Sequence, residues 1–383
     1  EELSPSQLIG LDRDKLLGLV TRDVGASSHT AILARAMGVP AVMGVEIQED
    51  WQGRTAMLDG DRGWLYLDPT EQIVEEGEQM ARKGREERLR LNQWRDRDTV
   101  TLDGREMPLL ANIGSGAEGE LARQKGAQGV GLFRSEFLFL DRDTCPDEEE
   151  QFAAYSQVVR AMAGRPVVIR TLDVGGDKQA PCLGLEGDSS PLGCRGIRLS
   201  LARPDLFRPQ LRAILRSGAL GPVSLMLPMV TAPWEVRKAR EILEECRSEL
   251  QSQGREPGEV RVGIMVETPA AVVLADELAL EADFFSLGTN DLTQYTLAAD
   301  RCRAGGAYDP RHPAVLRMIR HTVEAGHRHG LRVSICGDLG ADPDLTETFL
   351  RMGVDSLSIS PEFILPLREL ISGLDLSEDR PAE

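Results

Sequence analysis

Arginines and carboxylates follow short apolar runs at several places in this sequence. Arg134 ends the run GVGLFR, Arg170 ends PVVIR, Glu267 ends RVGIMVE, and Asn290 and Asp291 close FFSLGTND. Guanidinium groups present forked donors that match the oxygens of phosphate and carboxylate. Two carboxylates with substrate oxygens and water make a typical Mg²⁺ environment. If these residues converge, they predict a site for a small, multiply charged anion held with a metal ion.

Three further residues belong to the same group of candidates. Arg195 lies in PLGCRGIR, Arg301 in LAADR, and Cys336 in SICGDLG. Each arginine could instead form a structural pair with a nearby carboxylate, so only their convergence favours anion binding. A thiol beside positive charge can act as a nucleophile or proton donor, whereas an inert buried thiol is the alternative.

A histidine at the start of a predicted helix is a second kind of candidate. The stretch GASSHTAILARAMG places His29 in the first turn, directly after Ser28. Backbone N–H groups without partners and a partial positive charge at that end favour a nearby anion. Either Ser28 caps the helix and His29 is solvated, or His29 serves as a nucleophile or phosphate site. This stretch alone leaves both interpretations open.

The elements that must position these residues alternate regularly from about residue 106. Eight apolar runs are separated by amphipathic helical stretches, and the runs are MPLLANI, GVGLFR, PVVIRTLD, VSLMLPMV, RVGIMVE, FFSLGTND, RVSICGD and DSLSIS. Runs that are apolar on both faces are typical of buried parallel strands. Eight units in this length predict an α/β fold with a closed (β/α)₈ TIM barrel, which gathers the strand ends at one rim. An open, doubly wound sheet is the alternative.

A different organisation precedes the barrel. Residues 1–69 have the pattern of a small α/β unit, with strands predicted in KLLGLVTRD, PAVMGV and TAMLDGDRGWLYLDP. Residues 70–97 are rich in Glu, Gln, Arg and Leu and lack proline, which favours a helix between domains over a flexible linker. Residues 98–383 form the predicted barrel domain.

Composition excludes several functional classes. The formal net charge of −18 argues against nucleic acid or an anionic membrane as a partner. Apolar runs are too short to cross a bilayer, and no signal peptide is recognisable. The six cysteines show no C-x-x-C pair, so reduced thiols in a cytoplasmic protein are expected.

Six motifs, in this order, make the chain resemble a known family. They are SSHTAILARAMGVPAVMGV, GLFRSEFLFLDRD, IRTLDVGGDK, MVETPAA, SLGTNDLTQYTLAADR and SICGDLGADP. Together they resemble the phosphoenolpyruvate-protein phosphotransferases, enzyme I of the sugar phosphotransferase system. The resemblance covers essentially the whole chain.

The resemblance implies roles for the candidate residues. His29 matches the histidine that takes the phosphoryl group from phosphoenolpyruvate (PEP), and Cys336 matches the thiol that protonates the resulting enolate. Glu267 and Asp291 match Mg²⁺ ligands. The remaining matches are to substrate-binding positions, namely Arg134, Arg170, Arg195, Asn290 and Arg301.

The same resemblance implies an organisation and partners. Residues 1–69 correspond to part of a swivelling phosphohistidine domain, with the helix at 70–97 as its pivot. The family passes phosphate to the phosphocarrier protein HPr for sugar uptake and forms homodimers through the barrel. No HPr-docking helical domain is recognisable here, so we expect a fragment or part of a fusion that transfers poorly to HPr.

Three departures from the family pattern and two alternatives accompany this interpretation. Ala26 replaces a usual arginine, SSPLGCR replaces N-P-F-L-G-W-R, and Asp338 replaces a glutamate. The first alternative is the C-terminal part of a pyruvate, phosphate dikinase or phosphoenolpyruvate synthase. The second is a noncatalytic sensor that binds PEP, which would have no need of all the catalytic groups.

Overall fold

A computed structural model describes residues 15–22, 39–140, 142–174, 180–184, 192–301 and 307–377. The chain divides into two compact units, Glu1–Asn92 and Gln93–Glu383. His29 and Ala26 lie outside the described residues. No helix in the described ranges combines the length and apolarity needed to cross a bilayer.

The N-terminal unit contains short strands and one long helix. Strands β1 (Leu19–Val20) and β2 (Ala41–Val42) pair in parallel, and β3 (Ala56–Asp59) and β4 (Trp64–Leu67) form an antiparallel hairpin. Each strand falls in a run that the sequence predicts as strand. Helix α1 (Glu71–Asn92) occupies most of the 70–97 segment, and the boundary between the two units falls at its end.

The C-terminal unit is a closed barrel of eight parallel strands, in the order β10-β11-β12-β5-β6-β7-β8-β9. The strands are β5 (Leu109–Ile113), β6 (Val130–Arg134), β7 (Val167–Arg170), β8 (Val223–Leu227), β9 (Val260–Val266), β10 (Phe284–Leu287), β11 (Arg332–Ile335) and β12 (Ser356–Ile359). Seven lie within one of the eight predicted runs, and β9 begins at Val260, one residue before the run RVGIMVE. The predicted TIM barrel is therefore confirmed, and the open sheet is excluded.

Helices follow the strands around the barrel. They are α2 (Gly116–Gln124), α3 (Glu148–Met162), α4 (Ile197–Ala202), α5 (Pro204–Gly218), α6 (Pro233–Ser252), α7 (Pro269–Val273), α8 (Ala275–Ala279), α9 (Thr289–Leu297), α10 (Pro313–Arg328), α11 (Thr346–Met352) and α12 (Ile364–Ser372). Because strand side chains alternate between faces, one set packs against these helices and the other fills the barrel. Leu132, Met226, Met265 and Cys336 pack together as a small separate cluster.

The last helix ties the two ends of the barrel unit together through a buried cation. Arg368 of α12 donates from Nε to Thr99 Oγ1 (2.9 Å), from Nη1 to the carbonyls of Trp94 and Arg95 (2.9 Å each), and from Nη2 to the carbonyl of Gly126 (2.6 Å). Burial lowers the pKa of Arg368 from its ordinary value. Neutral backbone oxygens therefore satisfy most of the donors of this guanidinium.

The expectation of reduced thiols is wrong for one pair of cysteines. Cys145 and Cys182 form a disulfide, with their Cα atoms 5.1 Å apart. They are 37 residues apart in the chain, and no motif marks them as partners. They meet because the loops after β6 and β7 emerge side by side from adjacent strands of the barrel.

Candidate functional site

The predicted site residues come together at the carboxyl ends of the barrel strands. Arg134 and Arg170 end the paired strands β6 and β7, where they are direct neighbours in register. Glu267 follows β9, and Asp291 lies in the first turn of α9, directly after β10. In barrels of this class, side chains at the carboxyl ends of the strands form the active site.

Arg195 is held by a pair of hydrogen bonds that it donates to one carboxylate. Its Nε and Nη2 donate to the two oxygens of Asp173, at 3.0 and 2.8 Å. Its Nη1 reaches Asp291 Oδ1 (3.3 Å) and the Tyr295 hydroxyl (3.2 Å). Arg195 and Asp173 are both buried. The guanidinium is thereby fixed at the end of the loop that connects β7 to α4.

Arg170 shares the same carboxylate. Its Nη2 donates to Glu136 Oε1 (2.7 Å), and its Nη1 lies 3.2 Å from Asp173 Oδ2. Glu136 is buried, as is Arg170 itself, and the Arg170 Nε has no hydrogen-bond partner in the described part of the chain. Asp173 therefore joins the two arginines into one rigid group, and Arg170 retains a donor that no described residue uses.

The carboxylates keep both arginines charged in spite of their burial. Burial by itself lowers the pKa of Arg170, but Glu136, Asp173 and Glu267 outweigh it and raise that pKa above its ordinary value. Burial likewise lowers the pKa of Arg195, but Asp173 and Asp291 outweigh it and raise that pKa above its ordinary value. The site thus presents permanently cationic groups, which suits a ligand with several negative charges.

The Glu267 side chain is held by the backbone of a residue in a strained conformation. Its Oε1 accepts a hydrogen bond of 2.6 Å from the backbone N–H of Met229, just beyond β8. Met229 has φ +59°, a conformation that non-glycine residues rarely adopt and that recurs at functional sites. Gly196 packs against it, since a Cβ at Gly196 would lie 2.7 Å from the Met229 Cβ. This contact couples the position of Glu267 to the turn that carries Arg195.

The carboxylates around Glu267 fit a divalent cation. Burial, Asp291 and Asp173 together raise the pKa of Glu267 well above its ordinary value, because negative charges crowd a desolvated site. A cation placed between Glu267 and Asp291 would relieve that crowding. No group of three or more His, Cys, Asp or Glu side chains forms a complete metal site in the ranges described. Substrate oxygens and water would then complete the shell, as is usual for Mg²⁺.

Cys336 is a buried thiol that remains protonated. It follows β11, and its thiol donates to the carbonyl of Leu287 (3.4 Å). Burial raises the pKa of Cys336 to about 11, although Arg170 and Arg134 partly oppose the shift. At neutral pH the group is therefore suited to donating a proton and poorly suited to acting as a nucleophile.

Asn290 is fixed by a residue that departs from the family pattern. Its amide Nδ2 donates to Asp338 Oδ2 (3.0 Å), and the backbone N–H of Asp338 donates to Asn290 Oδ1 (3.2 Å). The shorter aspartate in place of the usual glutamate therefore makes a reciprocal pair with Asn290. The loops after β10 and β11 are joined by this contact.

Arg301 is not brought into this network by any contact among the described residues. Arg301 is exposed at the edge of a described range, where its backbone N–H donates to Gln294 Oε1 (3.2 Å). His29 lies outside the described residues. Arg198, three residues after Arg195, is exposed on α4.

Sequence reasoning missed the roles of Glu136 and Tyr295. Glu136 lies two residues after Arg134, and Tyr295 lies four residues after Asp291 on α9. Burying an arginine requires a counter-charge, so an acidic residue close to each strand-end arginine was the available signal. For Tyr295, the signal was the i,i+4 spacing that places it on the same helix face as Asp291.

A barrel with buried arginines and carboxylates at its strand ends has the architecture of an enzyme that acts on a small anion. Family models match in two parts: "PEP-utilising enzyme, PEP-binding domain" over residues 88–376 and "PEP-utilising enzyme, mobile domain" over residues 1–63.

Individual relatives agree with these matches. The chain is 42% identical to the phosphoenolpyruvate-protein phosphotransferase of Staphylococcus carnosus and 41% identical to that of Haemophilus influenzae. Each alignment covers 98% of this chain and 67% of the relative. A solved HpcH/Hpal aldolase/citrate lyase family protein from Burkholderia cenocepacia is 18% identical, with a TM-score of 0.42 over 68% of this chain and 91% of that one.

This chain therefore belongs to the PEP-utilising enzymes, and within them to the phosphoenolpyruvate-protein phosphotransferase family. The resemblance found in the sequence motifs is confirmed, and the chain is a member of a family of phosphotransferases.

Proposed function

We propose that this chain transfers the phosphoryl group of PEP to its own His29 and releases pyruvate. The observation that carries the proposal is the cluster formed by Arg170, Arg195, Glu267 and Asp291 at the carboxyl ends of the barrel strands. PEP combines a phosphate and a carboxylate on three carbons, and both groups suit fixed guanidiniums. Family membership supports the same substrate.

Arginines would hold the substrate and spread its charge during transfer. Phosphoryl transfer depends mainly on positioning and electrostatic stabilisation, both of which rigid, buried guanidiniums provide. Arg170 and Arg195 are fixed through Asp173, so no reorganisation is needed as charge develops. Arg134 ends β6, the neighbour of β7, and Asn290 lies in the first turn of α9, directly after β10. Both would complete the contacts, and Arg301 would join from the loop after α9.

The residues present fit one Mg²⁺ ion. Glu267 and Asp291 would hold it, and when bound it would neutralise charge on the phosphate and enolate oxygens. Burial is the largest cause of the raised pKa of Glu267, and the nearby carboxylates of Asp291 and Asp173 raise it further. This crowding of negative charge supports a cation at that position.

The bonds that form and break in the proposed reaction balance each other, and no further reactant is needed. A neutral imidazole nitrogen of His29 forms a bond to phosphorus while the bond from phosphorus to the enolate oxygen breaks. Cys336 supplies a proton to the methylene carbon of the enolate, which gives pyruvate, and solvent returns a proton to the thiolate. The buried, protonated thiol supports this role.

Domain organisation and later steps form part of the same proposal and rest on the family. Residues 1–69 would carry His29, the helix at 70–97 would act as a pivot, and residues 98–383 would bind PEP. We also propose that the phosphoryl group passes on to HPr for sugar uptake, that the protein is cytoplasmic, and that it forms a homodimer through the barrel.

Pyruvate release from PEP tests the proposal. We expect release with Mg²⁺, its loss with a chelator, and a loss of about 10²-fold or more in Glu267→Gln, because charge stabilisation at the reacting group is removed. Glu241→Gln, at an exposed pair with Lys238, is the matched control and should keep its activity. Release that is indifferent to both chelation and Glu267→Gln would contradict the proposed site. Tight PEP binding without any pyruvate would favour a sensor.

A further inference from the structure

The disulfide lies in the two loops that follow the arginine-bearing strands. Cys145 belongs to the loop between β6 and α3, and Cys182 to the loop between β7 and α4. Both are half-buried, so a small reductant has access to the bond. A backbone N–H of Cys182 also donates to the carbonyl of Arg142 (2.9 Å), which adds a second link between the loops.

A separate apolar cluster lies against the disulfide. Its buried members are Phe139, Leu172, Val174, Leu183 and Leu199, and Cys145 and Cys182 pack against them. The cluster thus contains side chains from both loops and from α4. It is distinct from the large core around the barrel. Its position depends on the loops staying together, which is what the disulfide enforces.

This cluster supports the arginine site directly. Leu172 and Val174 flank Asp173, the carboxylate that holds Arg170 and Arg195. Leu199 lies four residues after Arg195 on α4. Any loosening of the cluster therefore moves both sides of the Asp173–Arg195 ion pair.

We propose that Cys145–Cys182 is a reversible redox clip that holds the Asp173–Arg195 pair in its anion-binding position, so that the oxidised protein binds PEP more tightly than the reduced protein. The ligand named here rests on the proposed function. A dithiol reductant supplies two electrons and two protons, the S–S bond becomes two thiols, and the reductant becomes a disulfide. Disulfides of proteins in reducing compartments are typically redox-sensing.

The size of the effect follows from population arithmetic. When only part of the population is competent to bind, the apparent Kd rises by the inverse of that fraction. If release of the clip leaves the loop in place about one fifth of the time, the Kd for PEP rises about fivefold.

The experiment compares one protein in two redox states. Peptide mapping without reductant establishes the Cys145–Cys182 link, and titration calorimetry with PEP and Mg²⁺ gives the Kd before and after treatment with a dithiol. We expect a link that forms, a Kd that rises about fivefold on reduction, and the same raised Kd in Cys145→Ser and Cys182→Ser. The dithiol should not change the Kd of either variant, which controls for effects on other cysteines.

Hydrogen exchange provides a readout that does not need PEP. Reduction should speed amide exchange at residues 172–174 and 195–199, while exchange in β10 stays unchanged. A link that does not form under mild oxidation, or unchanged exchange together with an unchanged or lower Kd after reduction, would overturn the clip. If neither redox state binds PEP, the proposed function fails, whereas the exchange data still decide whether the clip controls the loop.

Discussion

Asp173 is the residue on which the arginine site depends most. Both of its oxygens accept from Arg195, and one lies 3.2 Å from Arg170. Buried charges are tolerated only when they are paired and hydrogen-bonded, so loss of this carboxylate leaves two guanidiniums uncompensated. Asp173 therefore acts by positioning Arg170 and Arg195, and it does not itself need to contact the substrate.

Removing the charge of Asp173 should affect both stability and substrate binding. We expect Asp173→Asn to lower the free energy of unfolding by about 3 kcal/mol, the usual order for breaking a buried ion pair. We also expect KM for PEP to rise more than kcat falls, since the arginines are displaced. Denaturant unfolding and steady-state kinetics measure the two effects.

Asp205→Asn is the matched control for Asp173→Asn. Asp205 pairs with Arg203 on the surface, with both side chains more than one third exposed. We expect at most a small loss of stability and unchanged KM. Equal losses in the two variants would show that burial of the Asp173 pair has no special role.

Loss of the Cys336 thiol should slow turnover without weakening binding. Because burial raises its pKa to about 11, the thiol is protonated at neutral pH and can serve as an acid. We expect Cys336→Ala to lower kcat for pyruvate release by about 10²-fold or more, the usual contribution of a general acid, with a near-normal KM.

Alkylation provides a separate check on the Cys336 thiol. Cys194 is exposed and serves as an internal reference in the same protein. At pH 8, iodoacetamide should modify Cys194 much faster than Cys336, because the thiolate is the reactive form. A Cys336→Ala variant with normal kcat, or rapid labelling of Cys336 at pH 8, would rule out the assigned role.

At the scale of elements, tight backbone turns place the site residues on the barrel strands. Gly196 has φ +57° and connects Arg195 to the start of α4, and an added Cβ would collide with Met229. Met229 in turn holds Glu267. The ends of three neighbouring elements are therefore positioned by one close approach of backbone.

A methyl group at this turn should disturb the site. We expect Gly196→Ala to raise KM for PEP and to lower kcat/KM, since a misplacement of about 1 Å can cost about 10²-fold in rate. Gly254→Ala is the control because it has a similar φ of +71° but open space around it. The control should lose only about 1 kcal/mol of stability and keep its KM. Equal kinetic effects in both variants would contradict the coupling.

The barrel and most strand-end candidates were predictable for a physical reason. Strands of a parallel barrel are buried on both faces, so each corresponds to a continuous apolar run in the sequence. The polar residue that follows the run marks the end of the strand. The residues that contact the strand-end arginines from other parts of the chain are not marked by any such pattern in the sequence. Glu136 and Tyr295 became visible only as contacts of Arg170 and Arg195, and the Cys145–Cys182 bond only through the neighbouring loops.

For the whole barrel unit, Arg368 connects the chain's entry into the barrel with its last helix. Its donors reach backbone carbonyls at Trp94, Arg95 and Gly126, which are far apart in sequence. Buried backbone carbonyls without partners are costly. The side chain thus stabilises the packing of these segments against the last helix of the barrel unit.

Replacing this buried cation should destabilise the barrel unit as a whole. We expect Arg368→Met to lower the free energy of unfolding by about 3 kcal/mol, because several buried carbonyls lose their donors. Arg123→Met removes an exposed pair with Glu120 and should leave the stability nearly unchanged. Thermal and denaturant unfolding would measure both. A stability for Arg368→Met equal to that of the control would contradict this role.

The proposed reaction involves the whole molecule, because it needs both a histidine in the N-terminal part of the chain and an anion site in the barrel. The most direct measurement is a single turnover with ³²P-labelled PEP and Mg²⁺, followed by mapping of acid-labile phosphate. We expect label on His29 in the same amount as pyruvate released, and neither product in His29→Ala. Pyruvate formed without phosphate on His29, or label that persists in His29→Ala, would contradict the account.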